Sequence, residues 1–227
     1  MRTGAPLLVI ALAALAAGCG GSGAKDNGEA AKTPAQVLAD TLQATSAASA
    51  VHVAGKIVSS GSPITLDLTI DRASGAKGDI SESGLHFQLI RVGAKAYVQG
   101  SDAFYEKLGG AAAAQLLHGK WLEGSATSGD LAQLGQFTDI DVLFRQITAK
   151  HGKLVNDGAT TYQGQKVVAI RDTADGSKLY VAATGKPYPV AILHGKDASG
   201  AITFDGWNKT VSIAAPKGAI DLSQLGG

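Results

Sequence analysis

Few residues of this 227-residue chain are placed where they could do covalent chemistry. The five histidines, His52, His86, His118, His151 and His194, are scattered, and no two stand at the i, i+4 spacing that sets two imidazoles on one helix face for zinc. The chain has no G-x-S-x-G nucleophile elbow, no phosphate-binding glycine loop and no dinucleotide glycine pattern. Asp139 and Asp141 lie close in sequence, but ahead of an amphipathic run their simpler task is to complement a helix dipole. Asn208-Lys209-Thr210 matches a glycosylation acceptor, a pattern short enough to arise by chance. Cys19 is the single cysteine, which excludes an intrachain disulfide and a thiolate metal cluster. The reading is a non-enzyme with no catalytic residue, no metal and no cofactor.

What Cys19 can do follows from its place. Arg2 leads an apolar run over roughly 5–17 that closes on Leu15-Ala16-Ala17-Gly18-Cys19. That run is about 13 residues, against about 20 for a bilayer span, so it reads as an export signal rather than a permanent helix. Small residues directly before the Cys resemble a bacterial lipobox, with Ala16 standing where Leu, Val or Ile is usual. The resemblance implies a removable signal peptide over 1–18 and lipid attachment at Cys19. It also implies a chain held at the extracytoplasmic face of the cell membrane. An ordinary secretory signal with an incidental Cys is the alternative. Residues 19–32, rich in Gly, Ser, Ala, Lys, Asp and Asn, then form a flexible tether that spans roughly 20 Å on average.

Residues 33–227 are expected to be one domain. Thr33, Pro34 and Gln36 supply an N-cap, a first-turn proline and a reciprocal capping residue, so a helix opens there with Val37, Leu38, Thr41 and Leu42 on one face. From Val51 the period becomes two. Ile64, Leu66, Leu68 and Ile70 face one way and Thr65, Asp67, Thr69 and Asp71 the other, the mark of an antiparallel sheet covered on one side. Leu85, Phe87 and Leu89 repeat the alternation, as do Ala94, Ala96 and Val98. Strand runs follow near 150–156, 160–171, 178–182, 188–194, 200–205 and 210–214, divided by Gly, Asn, Asp and Pro turns. Between the two strand sets, 102–150 reads as helical, with Ile140, Leu143, Phe144 and Ile147 on one face behind Thr138 as N-cap. The fold class is α+β: a strongly curved antiparallel half-barrel of about ten strands with helices lying across its concave face.

Composition narrows the partners. Lys and Arg number 20 against 19 Asp and Glu, a formal net charge of +1, which argues against a nucleic-acid binder or a polybasic membrane surface as the default reading. Apolar residues are 45% of the chain but much of that is Ala, so Leu, Ile and Val must supply the core.

In its order of lipobox, tether, capped helix, strands, helical insert and second strand set, the chain resembles the actinobacterial LppX/LprA/LprF/LprG lipoproteins, a LolA-like fold. The segments that carry the likeness are Lys95-Ala96-Tyr97-Val98, Gly119-Lys120-Trp121, Leu179-Tyr180-Val181-Ala182 through Gly185, Pro189 and Val190, and Phe204-Asp205-Gly206-Trp207-Asn208-Lys209 leading to Ala215-Pro216. The resemblance implies a hydrophobic cavity that binds or moves acylated lipids or glycolipids, with an envelope transporter of unknown identity as a possible partner. Extracting a palmitoyl-sized chain from a bilayer forfeits burial of about 15 methylenes, on the order of 12 kcal/mol, which only a long apolar cavity offsets. By alternation, the expected walls are Ile64, Leu66, Leu68, Leu85, Phe87, Leu89, Val168, Ile170, Leu179, Val181, Val190 and Ile192. Small side chains over Ala111 to Ala114 are expected to hold the helical cover off the sheet, with Ala111 and Ala112 lining the cavity. From the pattern alone, the same residues could instead pack on one another as an ordinary core, leaving an envelope interaction lipoprotein without cargo.

Overall fold

The computed structural model describes residues 25–59, 62–129, 131–196 and 198–224. Helix α1 (Pro34–Ser46) leads into β1 (Ala50–Ser59), β2 (Ser62–Asp71), β3 (Gly75–Glu82), β4 (Leu85–Val92) and β5 (Lys95–Gly100). The insert holds α2 (Asp102–Leu117), β6 (Leu122–Ser125), α3 (Ala132–Gln136) and α4 (Ile140–Thr148). Then come β7 (Leu154–Tyr162), β8 (Gln165–Asp172), β9 (Lys178–Ala182), β10 (Pro189–Leu193), β11 (Ala198–Asp205) and β12 (Ile220–Asp221).

All twelve strands form one open sheet, in the order β12-β6-β5-β4-β3-β2-β1-β11-β10-β9-β8-β7. Neighbours are antiparallel except β12, which adds parallel to β6. Each strand set is a meander of hairpins, and β1 with β11 joins them over His52↔Asp205 to Ser59↔Ala198. The expected α+β architecture is therefore present, with twelve strands rather than about ten. Three runs differ from expectation. Strand β3 escapes the alternation rule because its inward residues are mostly small, Ala76 and Gly78 before Ile80. The run 160–171 is the β7–β8 hairpin, turning at Gln163 and Gly164, both in the left-handed region. No strand forms at 210–214, where the backbone bonds to the β2–β3 turn instead: Val211 donates to Asp71 Oδ2 at 3.2 Å and accepts from Ser74 Oγ at 2.7 Å.

The inner face shows why the sheet bends. Gly55 on β1 and Gly78 on β3 flank β2, and both point inward beside Leu66 and Leu68. A Cβ at Gly55 would stand 2.2 Å from the Ala201 carbonyl oxygen, and one at Gly78 2.0 Å from that of Asp67. Neighbouring backbones thus approach on the inside of the curve more closely than any other residue permits.

The helices cover this apolar side. Val37 of α1 is fully buried among Val168, Ile170, Val181 and Ala183. Ile140, Leu143 and Phe144 of α4 close over Val51, Val53, Ile70, Ile202 and Phe204. Leu131, beside α3, joins Leu68, Ile80, Phe87, Leu89 and Val98. Helix α2 is the exception. Gly109 and Gly110 leave helical geometry, Gly110 at φ +78°, and split it into two short pieces. Its second piece turns Ala113, Ala114 and Leu117 toward Tyr105 and Leu122 and leaves Ala111, Ala112 and Leu116 outside, Leu116 at 67% exposed.

The segment 25–32, expected within the tether, is instead bound to the domain. Asp26 bridges Thr184, and Asn156 of β7 donates to the carbonyls of Glu29, Ala30 and Lys32. Glu29 is buried and paired with Lys32 at 2.8 Å. Hydrogen bonds from the Asn156 side chain and with the backbone of the β9–β10 connection outweigh the low local hydrophobicity on which the tether expectation rested. Residues 1–24, which include the signal peptide and Cys19, lie outside the described residues. The curvature argument has a direct test: Gly78→Ala should cost about 1–3 kcal/mol through overpacking, read as a lowered thermal midpoint, whereas an unchanged midpoint would refute it.

Candidate functional site

The region with room for a ligand is the seam between α1, α4 and strands β7 to β10. The capping box starts α1 at the place the sequence indicates: Gln36 N donates to Thr33 Oγ1 at 3.3 Å, and Thr33 N donates to Gln36 Oε1 at 3.0 Å. Its buried hydroxyls are satisfied within the helix, Thr41 on Val37 O and Thr45 on Thr41 O. For α4 the cap is Asp139 rather than Thr138. The Asp139 carboxylate accepts from Asp141 N and Val142 N at 2.9 and 3.0 Å, while Thr138 Oγ1 turns back to Gly135 O. The apolar face of α4 matches expectation, with Phe144 against Phe204 at a centroid distance of 4.8 Å.

Beneath the seam lies a cavity of about 80 Å³, between Leu38 of α1, Ile147 of α4 and Leu154, Ile170, Leu179 and Ile192 from four successive strands. Thr148, Lys150, His151, Asp172, Ser177 and Lys178 give it a polar rim. Outside it runs a groove of about 460 Å³ along Pro34, Ala35, Leu38, Ala39 and Leu42, which shares Leu38, His151 and Leu154 with the cavity. A second groove, about 400 Å³, continues from Leu42 past Thr45 and Phe144 to Asp141 and Arg145. The cavity and the first groove thus adjoin through Leu38 and Leu154, and the second groove, entered at Leu42, is lined mainly by polar residues.

Three of the expected wall residues, Ile170, Leu179 and Ile192, meet at this cavity. The others lie elsewhere. Val168 and Val181 pack under Val37, and Leu66 packs on the cluster around Phe144. Leu68, Phe87 and Leu89 are in solid contact with Leu131, Val98 and Ile80. Ile64 and Leu85 are half-buried near one end of the sheet. Val190 sits where the β9–β10 register shifts, between Pro189 and Ala191, and joins none of the buried clusters. Ala111 and Ala112 are exposed and line no cavity, because the piece of α2 after the Gly109–Gly110 break packs through Ala113, Ala114 and Leu117 and leaves them on its outer side. Alternation finds the inner face, but it cannot reveal which part the helices fill with Val37, Leu131 and Phe144. The rim residues Leu38, Ile147 and His151 were missed as site residues. Leu38 and Ile147 carried a signal, because both lie on helix faces that the 3.6-residue period marks as apolar.

The cover is fastened by Arg72, at the β2–β3 turn. Its Nη1 and Nη2 donate to the two Asp141 carboxylate oxygens, each at 2.8 Å, and its Nε donates to Ala48 O at 2.7 Å just beyond α1. One guanidinium therefore holds both helices of the seam. Its hydrogen bonds keep the Asp141 carboxyl below the usual carboxylate range, against the opposing effect of burial. The turn itself is held by Asp71, whose carboxylate accepts from Ser74 N and Ala73 N and is likewise held low.

Among the described residues, no group of three or more His, Cys, Asp and Glu could hold a metal ion. Three of the five histidines serve surface pairs. His52 lies between Asp67 and Asp205, 3.0 Å from each, on the outer face; burial lowers its pKa, but the two carboxylates prevail and raise it. His118 pairs with Asp102, and His86 with Asp79. No helix among the described residues is long and apolar enough to cross a membrane.

Comparison with solved structures gives two close architectural matches. The crystal structure of LprF from Mycobacterium bovis superposes with a TM-score of 0.57 at 17% identity, covering 86% of this chain and all of LprF. That of the Mycobacterium tuberculosis lipoprotein LppX gives a TM-score of 0.50 at 18% identity, over 79% of this chain and 99% of LppX. The fold is that of LprF and LppX. No family model matches the sequence, and no curated protein does. The LprF and LppX likeness is one of architecture, and it agrees with the fold expected from the order of segments.

The Arg72 clamp makes an acid-side prediction. Asp141 binds a proton less readily folded than unfolded, so its stabilisation is present above the ordinary carboxylate pKa of 3.8 and is lost as pH falls below it. Asp141→Asn should cost about 1 kcal/mol at neutral pH and almost nothing near roughly pH 2. Urea midpoints at both pH values read this, and an equal loss at each would rule the clamp out.

Proposed function

We propose that this chain is a membrane-anchored lipoprotein that binds acylated lipid or glycolipid between α1, α4 and the curved sheet, and carries it within the cell envelope. The observation that carries this reading is the continuous apolar track from the outer groove, past Leu38 and Leu154, to Ile170, Leu179 and Ile192. The work would be transfer without bond breaking. Lipidated Cys19 would hold the domain at the extracytoplasmic face, and the likeness to the LppX/LprA/LprF/LprG lipoproteins supports both the anchor and the cargo class.

The volume sets a condition on this reading. A partly open pocket of about 80 Å³ is smaller than pockets of roughly 300–1,000 Å³ that hold drug-sized ligands, so an acyl chain enters only when α1 and α4 move apart. The Arg72–Asp141 contact and the Phe144–Phe204 packing resist that opening. A second reading draws on the same tight interior: an envelope interaction lipoprotein whose core is filled by its own side chains and which carries no cargo.

Native mass spectrometry separates the two. The carrier reading expects lipid adducts on the purified protein and uptake of added palmitate, while a clean apo mass without uptake favours the filled core. Leu38→Trp, which widens a side chain at the inner end of the groove, should lower acyl uptake about tenfold, equivalent to ~1.4 kcal/mol; normal loading would remove the seam as the site. For the anchor, Cys19→Ala should move the protein from the membrane fraction to the soluble fraction, and continued retention would refute lipidation as the attachment.

A further inference from the structure

The described chain begins at one particular end of the half-barrel, and that end is basic. Gly185 N donates to Lys25 O at 3.4 Å and Asn27 N to Ala183 O at 3.0 Å, so Lys25 lies against the β9–β10 turn. Ala183 N donates to Lys166 O at 3.0 Å, which brings in the start of β8. Lys186 is within the β9–β10 turn. Lys209 follows Asn208, whose side chain donates to Tyr188 Oη at 2.8 Å. Lys25, Lys166, Lys186 and Lys209 are all exposed, and none forms an ion pair among the described residues.

The nearby acids are otherwise engaged. Asp26 accepts from Gly28 N at 2.7 Å but keeps its charge, Glu29 and Asp40 share the single Lys32, and Asp205 is on His52, so the four lysines outnumber the uncompensated acids narrowly. The rim is left positive. It also carries an aromatic pair, Tyr188 and Trp207, stacked at 4.5 Å with planes 5° apart. Tyr and Trp are the side chains favoured where an apolar phase meets water.

Chain connectivity supplies the second argument. Six peptide units separate Cys19 from Lys25, and fully extended they reach no more than about 20 Å. Whatever surface holds Cys19 therefore lies close to this end, while a strand of this sheet is itself roughly 30 Å long. We propose that the end formed by Lys25, Lys166, Lys186 and Lys209 seats on an anionic lipid surface, so that the half-barrel stands with its β9–β10 turn toward the bilayer. The proposal rests on Cys19 as the membrane attachment and adds an orientation and a lipid class to it. Each lysine near such a surface strengthens attraction about fivefold, and salt weakens it.

The test uses the full-length chain reconstituted on vesicles of phosphatidylcholine alone, or with roughly one-third phosphatidylglycerol. Lysines are acetylated by a water-soluble reagent and read individually by mass spectrometry. On the anionic vesicles, Lys25, Lys166, Lys186 and Lys209 should label several-fold less than on neutral ones. Lys56, Lys120, Lys153 and Lys196, around the opposite end, should be unchanged, and the protection should vanish near roughly 0.5 M salt. Equal labelling of the four lysines on both vesicles, or protection spread over all eight, overturns the proposal. The anchor is read separately: if wild type binds neutral vesicles and Cys19→Ala does not, the attachment stands whatever the lysines report. If wild type leaves neutral vesicles, the attachment fails, and protection of the four lysines on anionic vesicles alone decides the seating.

Discussion

A sheet with one apolar face must be covered, and everything else in this molecule follows from how that is done. Twelve strands turn Leu, Ile, Val and Phe to one side, and burial of that side is the main favourable contribution to folding. Inward glycines at 55 and 78 let the sheet curl, which shortens the face to be covered. Three sequence-distant pieces then close it: α1 from the amino-terminal side, and α3 and α4 from the insert. α1 and α4 meet over the β7–β10 flank of the sheet, and the seam between them leaves a part of that flank uncovered.

That geometry ties stability to function. A cover sealed by large side chains is stable but holds little, and one that opens can hold more but exposes apolar surface. Arg72 bonds to both helices at one end of the seam, while the other end, at Leu38, His151 and Leu154, is bordered mainly by packing. Opening therefore starts at the Leu38 end, and the guanidinium contacts at the far end oppose its spread.

Much of this was legible in the sequence, and the reasons are local. Thr33, Pro34 and Gln36 announce α1 because capping is short-range chemistry. Ile64 to Ile70 announce β2 because alternation is a backbone period. The α4 face was visible in Ile140, Leu143, Phe144 and Ile147. What stayed hidden depended on contacts across the chain. The binding of 25–32 to β7 needs Asn156, more than a hundred residues away, and local composition cannot report that. β3 was muted by small inward residues that exist because the sheet curves there. The division of the inner face into filled and open parts depends on which helix residue lands on which strand, and the expectation for Ala111 and Ala112 fails because a run of alanines does not show which of its members faces the sheet.

The break at Gly109 and Gly110 has an effect beyond steering two alanines. The seven residues after it bury little beyond Tyr105, Leu117 and Leu122 around their base, so their helical hydrogen bonds are protected by few tertiary contacts. Such a segment belongs to the weakly protected end of the opening spectrum, where amide protons exchange through local fraying while the sheet remains intact. This piece of the insert is able to melt and reform independently, leaving the twelve-stranded scaffold as the slow-exchanging body of the molecule.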